Sequence, residues 1–151
     1  MACVVRAMEE FEQLAGTHLG YSDWLVVDQQ RIDQFADATG DHQWIHVDPE
    51  RAATGPFGTT IAHGYLTLSL APALLQQVLK VEGMRFGVNY GCNKVRFPAP
   101  VTVGSKLRLG AEVVGVEKAG DGVQVTLELT LETDGGAKPA CVAQVVYRYY
   151  G

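Results

Sequence analysis

Hydrophobic and polar residues alternate along the second half of the chain. The clearest case runs over residues 123–132, where aliphatic side chains occupy every second position. This period of two predicts an antiparallel strand with one buried face. Similar patterns and intervening glycine-rich turns predict further strands over Val88–Phe97, Leu107–Glu117 and Ala140–Tyr149.

The first half of the chain has helical spacing instead. Phe11–Ala15 predicts a short N-terminal helix that ends within Thr17–Gly20, and Trp24–Val27 predicts a brief strand. Apolar residues three and four positions apart predict a second helix over Asp28–Thr39. Asp28 is its expected N-cap, and Gly40 is its expected stop.

A long apolar stretch follows a loop-rich segment. Residues 40–63 are rich in proline and glycine and predict a loop with one short helix around Pro49–Ala53. From Leu66 to Leu79 the apolar residues cover nearly every face of a helix, which Pro72 is expected to kink. We therefore predict an α+β fold, with a curved antiparallel sheet wrapped around a long central helix.

Composition narrows the functional classes. The chain has 151 residues, and we expect one domain spanning residues 1–151. A formal net charge of −5 makes nucleic acid and anionic membranes poor partners, because phosphates bind concentrated basic surfaces. The three cysteines lack metal-type or redox-type spacing, and the N-terminus has no signal-peptide core. These features predict free thiols and a cytoplasmic protein.

Three residues in the loop-rich half suggest acid/base chemistry. Asp41 and His46 are a carboxylate and an imidazole five positions apart, so both could hold one water. Gly64 begins the apolar stretch, and the first N–H groups of a helix have no internal partner. Its amide could therefore stabilise a developing oxyanion.

The aspartate and the histidines of this segment also have a purely structural interpretation. Asp41 follows Gly40 and could be a turn or capping residue. His42, His46 and His63 could be histidines that only satisfy local hydrogen bonds. Spacing alone does not separate these interpretations.

The wider segment decides between them. Residues 35–52 and 56–64 read FADATGDHQWIHVDPERA and PFGTTIAHG, and this run closely resembles the hydratase motif of the R-specific enoyl-CoA hydratases, or MaoC-like dehydratases. The resemblance continues from Tyr90 to Gly104 and covers most of the chain. It implies the hot dog fold, with Asp41 and His46 as the catalytic pair and the Gly64 amide as the oxyanion donor.

The chain departs from the family pattern at two places. Gln43-Trp44 stands where the family commonly has Asn-Pro. Several relatives also have a serine on the central helix near the catalytic carboxylate, and here that position is Pro72. Support for Asp41 must therefore come from another part of the chain.

Further candidates for substrate binding carry weaker signals. Lys94 and Arg96 lie two apart on one predicted strand and could meet phosphates of coenzyme A, or simply form a solvated face. Phe57, Ile61 and Tyr65 could line an acyl tunnel, or belong to the ordinary core.

His63 is a further substrate-binding candidate, and a metal site is not expected. The histidines show no familiar zinc spacing, and no cysteine lies among them. We therefore predict no cofactor, since coenzyme A would be part of the substrate.

The resemblance implies a reversible syn addition of water to a trans-2-enoyl-CoA that gives the (R)-3-hydroxyacyl-CoA. Two alternatives stay open: a hot dog acyl-CoA thioesterase and a non-catalytic acyl-binding partner subunit. The substrate is expected to be an acyl-CoA thioester, with acyl carrier protein as the other possible carrier. An exposed sheet edge also predicts a homodimer.

Overall fold

The computed structural model describes residues 2–151 and contains eight strands and six helices in that range. The strands are β1 (Cys3–Val5), β2 (His18–Tyr21), β3 (Leu25–Val26), β4 (Leu79–Val81), β5 (Phe86–Arg96), β6 (Lys106–Ala119), β7 (Gly122–Thr133) and β8 (Cys141–Tyr150). The helices are α1 (Met8–Glu12), α2 (Gln29–Thr39), α3 (Trp44–Val47), α4 (Pro49–Ala52), α5 (Gly64–Ser69) and α6 (Ala71–Leu75).

A curved antiparallel sheet in the order β2-β6-β7-β8-β5 organises the fold, and β3 also pairs with β6. The predicted alternation on β7 is confirmed, because its aliphatic positions are fully buried while Glu128, between two of them, is exposed. The buried face packs on α5 and α6 through side chains that include Leu66, Leu70 and Leu74. Burial of this apolar area is the main stabilising contribution.

The central helical stretch is divided at Leu70, close to the proline that was expected to kink it. Pro72 lacks an N–H group, and α5 gives way to α6 at Leu70. The backbone of Leu70 stays helical, and Leu74 N–H donates to its carbonyl at 3.2 Å, so helical hydrogen bonding continues across the division. The predicted extension to Leu79 is wrong, because Leu79–Val81 forms a strand that pairs in parallel with β1.

Helix α2 begins and ends as predicted. The Asp28 side chain accepts a hydrogen bond from Arg31 N–H at 2.9 Å. Gly40 has a φ of +83° and donates its N–H to the Ala36 carbonyl at 2.8 Å. Since this left-handed conformation favours glycine, Gly40 ends the helix and turns the chain into Asp41.

The predicted end of the N-terminal helix needs correction. The N-terminal helix ends at Glu12, and the expected helix end at Thr17–Gly20 overlaps strand β2. There His18 pairs with Glu112 of β6, so backbone pairing at the sheet edge overrides the local helical period. No helix within residues 2–151 has the length and hydrophobicity needed to cross a membrane.

Candidate active site

The predicted acid/base pair lies in the segment that follows Gly40. Asp41 is exposed and accepts a hydrogen bond from Gln43 N–H at 3.3 Å, just before α3 begins. His46 lies on α3, in a segment for which a loop was predicted. Gln43 and Trp44, the departure from the family pattern, therefore form the start of a helical turn that still presents the histidine.

The His46 ring is buried and fixed by a main-chain contact. It is only 6% exposed, and its Nδ1 lies 2.7 Å from the Ile61 carbonyl oxygen. A carbonyl can only accept, so Nδ1 carries the hydrogen and Nε2 of the neutral ring keeps a free lone pair. Burial lowers the pKa of His46 below its ordinary value, and the nearby His63 lowers it further, whereas the Ile61 contact and Asp41 raise it.

The structure brings Asp41, His46 and His63 together. One nitrogen or oxygen from each side chain lies within 4.8 Å of the others. Within residues 2–151, the Asp41 carboxylate makes no direct hydrogen bond to His46. A single water, bonded at about 2.8 Å to each of two acceptors, spans a gap of this size.

Gly64 presents an unpaired amide to a pocket. It is the first residue of α5, and its N–H has no hydrogen-bond acceptor within the described part of the chain. A Cβ at this position would lie 3.0 Å from the Phe97 ring, so any larger residue would require that ring to shift. The amide is therefore available to an oxygen of a bound ligand.

The pocket beside Gly64 has a volume of about 340 Å³ and a largely apolar lining. It holds both His46 and Gly64, together with two of the predicted acyl-contact residues, Phe57 and Ile61. Thr67, Phe97, Val101 and Ala140 complete much of its wall. One cavity thus contains the imidazole, the free amide and an apolar surface.

The remaining candidates lie apart from this pocket. Tyr65 is 72% exposed and packs edge-on against Phe97 with ring centroids 6.3 Å apart. Lys94 and Arg96 line a separate pocket together with Glu128. Within one chain, therefore, the structure does not join these two cations to the acid/base pair.

A larger pocket of about 580 Å³ lies between α6 and β5. Its titratable side chains are Lys80, Tyr147 and Tyr149. Burial raises the pKa of Tyr149 to about 12, so this hydroxyl stays protonated near neutral pH. No imidazole is among the residues that line the larger pocket, whereas His46 lines the smaller one. The smaller pocket is therefore the better candidate for acid/base chemistry.

The two buried histidines stack, which makes them poor joint metal ligands. Their ring centroids are 3.9 Å apart with 23° between the planes. Imidazole lone pairs lie in the ring plane, so nearly parallel rings cannot both point at one ion. The expectation of a metal-free site stays a prediction.

Two residues support the site, and sequence reasoning missed Gln29 and proposed His63 only as a substrate contact or a structural histidine. Gln29 donates to the His46 carbonyl at 2.7 Å, and its side-chain oxygen accepts from Thr60 Oγ1 at 2.5 Å. The ring of His63 stacks on His46, and its Nε2 contacts the main chain of Asp41. Nothing in the sequence marks Gln29, but His63 adjoins Gly64 in the recognised motif.

The chain is similar to known proteins over most of its length. The profile of the family described as "MaoC like domain" matches residues 10–134. Over 136 residues the chain is 60% identical to 3-hydroxyacyl-thioester dehydratase Z of Mycobacterium tuberculosis, covering 89% of this chain and 90% of that protein. It is 35% identical over 106 residues to the (R)-specific enoyl-CoA hydratase of Aeromonas caviae, covering 70% of this chain and 75% of the relative.

A solved structure shows the same fold. R-hydratase PhaJ1 from Pseudomonas aeruginosa, in the unliganded form, matches with a TM-score of 0.74 at 25% identity, covering 93% of this chain and 84% of the other. The sheet wrapped around a helix is therefore the hot dog fold, as the resemblance implied.

The environment of His46 predicts an acid-shifted titration. We expect its midpoint below 6.5, because burial penalises the charged ring, and that of His42 above 6.5, because Asp37 hydrogen-bonds to it. The unfolded chain then binds the His46 proton more readily, so this group disfavours folding as the pH falls below 6.5. NMR titration of the ring Cε1–H signals, assigned with His42→Gln and His46→Gln, measures both. A His46 midpoint at or above that of His42 contradicts the assignment.

Proposed function

We propose, since the chain belongs to the family of MaoC-like dehydratase domains, that it adds water reversibly across the trans-2,3 double bond of an enoyl thioester. Its relatives carry the names dehydratase and hydratase, and the chain is a hydro-lyase. The observation that supports the finer reaction is the placement of His46 and the free Gly64 amide in one apolar pocket beside Asp41.

In the proposed reaction, Asp41 and His46 share the attacking water. The neutral His46 ring offers a lone pair at Nε2 because Nδ1 is bound to Ile61. The water oxygen bonds to C3 of the substrate, and one water proton passes through the pair to C2 on the same face. General acid/base groups placed in this way usually contribute about 10²–10⁴-fold each.

The Gly64 amide would stabilise the charge that develops during this step. As oxygen adds at C3, electron density moves onto the thioester oxygen, which becomes enolate-like. The unpaired N–H of Gly64 is available to donate to that oxygen. Dehydration uses the same contact in reverse, because it makes the hydrogen on C2 more acidic.

The proposed substrate is an acyl-CoA thioester whose product has the (R) configuration. Support comes from the relative named an (R)-specific enoyl-CoA hydratase and from the apolar pocket wall, where Phe57 and Ile61 would contact the acyl chain. Acyl carrier protein is the other possible carrier of the acyl group.

The proposed reaction uses no metal or separate cofactor. The free thiols of Cys3, Cys92 and Cys141 fit a cytoplasmic location.

We also propose that two copies pair along β5. This strand ends the sheet, and almost all of it is exposed, including the apolar Phe86, Val88 and Tyr90. An unpaired edge with apolar side chains is a favourable surface for a second copy. Association through this edge would cover it.

The dimer is tested by sedimentation velocity. We expect the wild type to sediment as a dimer and Val88→Lys as a monomer, because a charge replaces an apolar side chain that is 42% exposed at the edge. Val114→Lys is the matched control, since Val114 is 38% exposed on β6 and should leave the dimer intact. Equal effects of both substitutions would exclude β5 as the contact.

Loss of either member of the pair should remove hydration without unfolding the protein. Asp41→Asn and His46→Gln are each expected to lower kcat for crotonyl-CoA about 10²–10⁴-fold. The loss of enoyl absorbance measures turnover, and thermal melting measures stability. His42→Gln is the control, because His42 lies in the same segment but is bonded to the exposed Asp37. Its activity should match that of the wild type.

Measuring the release of free thiol beside the enoyl absorbance separates the rival functions. Release of free thiol from the wild type, without hydration, would indicate a thioesterase. Binding of crotonyl-CoA with neither reaction would indicate an acyl-binding subunit. Full hydration activity in both pair variants would refute the assigned roles.

A further inference from the structure

The His63 side chain is enclosed between two rings beneath the candidate site. It is 3% exposed. One side stacks on His46 with centroids 3.9 Å apart, and the other side packs against Phe35 at 4.9 Å. The imidazole of His46 therefore rests on a ring that is itself held by the core.

The same side chain holds the main chain of Asp41. The Nε2 of His63 lies 3.0 Å from the Asp41 carbonyl oxygen, and since that oxygen only accepts, Nε2–H donates. The other hydrogen bonds of Asp41 are longer: 3.3 Å from Gln43 N–H to its carboxylate and 3.5 Å from its own N–H to Thr39 Oγ1. His63 is thus the contact that ties this exposed residue to a buried group.

The backbone of His63 leads directly to the free amide. It is the N-cap of α5, and its carbonyl accepts from Thr67 N–H at 3.2 Å. The next residue is Gly64. The ring edge of His63 therefore bonds to Asp41, and its ring face stacks on His46. Its backbone is joined directly to Gly64, the proposed oxyanion donor.

Packing in the core does not by itself explain why residue 63 is a histidine. Its Nδ1 is buried and has no hydrogen-bond partner within residues 2–151. An unpaired buried nitrogen is destabilising, and a phenylalanine of similar shape would avoid that penalty. What phenylalanine cannot supply is the hydrogen bond to Asp41.

We propose that His63 is a positioning residue that holds Asp41 and His46 in register with the Gly64 amide. This inference rests on the proposed hydration, because the register matters for a water shared by the pair. The Nε2–H group of the ring holds Asp41 by a hydrogen bond, and the face of the ring holds His46 by stacking.

Two substitutions separate these two contacts. His63→Phe keeps a stacked ring but removes the donor, and His63→Gln keeps a donor but removes the ring. We expect kcat for crotonyl-CoA to fall about 10–100-fold in His63→Phe, because small displacements of reacting groups have effects of that size, whereas KM changes less than about threefold. His63→Gln should recover part of kcat.

NMR of the ligand-free protein tests the positioning role of His63 independently of the proposed reaction. The titratable groups that act on His46 are Asp41, which raises its pKa, and His63, which lowers it. In His63→Gln the NMR midpoint of His46 should therefore rise, and in His63→Phe the Asp41 amide signal should shift. These readouts need no turnover, and melting curves show whether each variant folds.

The outcomes are distinct. Wild-type kcat in both variants, with unchanged His46 and Asp41 signals, overturns the role of His63. If His63→Phe does not fold, wild-type kcat in His63→Gln together with an unchanged His46 midpoint overturns the role of the stacked ring. Absence of hydration by the wild type, with the expected NMR changes, overturns the proposed function and leaves the coupling between these residues supported.

Discussion

The buried hydrogen bond from His46 Nδ1 to the Ile61 carbonyl, at 2.7 Å, is the contact on which the site depends. It fixes the hydrogen on one ring nitrogen and leaves the other as a base. It also ties α3 to the segment that leads into Gly64. Together with the Ile61 N–H, which donates to the Ile45 carbonyl at 3.0 Å, this bond holds the Nε2 lone pair in a fixed position relative to the Gly64 amide.

The rest of the fold keeps that contact dry and in place. The buried face of β7 packs against α5 and α6, so the start of α5 is held by the main core. Gln29 joins α2 to both α3 and Thr60, and His63 joins α5 to Asp41. The site is thus assembled from short segments whose positions are set by long-range contacts.

The sequence predicted those elements whose structure is determined by residues close together in the chain. The alternation around Leu127 identified a strand, and Asp28 and Gly40 identified the ends of α2, because each effect acts within a few residues. The strand at His18 was missed because its partner Glu112 is distant in sequence. The motif predicted that Asp41 and His46 form a pair, and the fold brings them close together. The stacking of His63 on His46 arises only from tertiary packing.

A double-mutant cycle on the hydration of crotonyl-CoA tests the central claim, that Asp41 and His46 act on one water, most directly. The kcat/KM values of wild type, Asp41→Asn, His46→Gln and the double variant are compared. Residues that act as a unit lose their function together, so the double variant should be slower than the slower single variant by no more than about threefold. Losses that multiply would show independent roles and contradict the shared water.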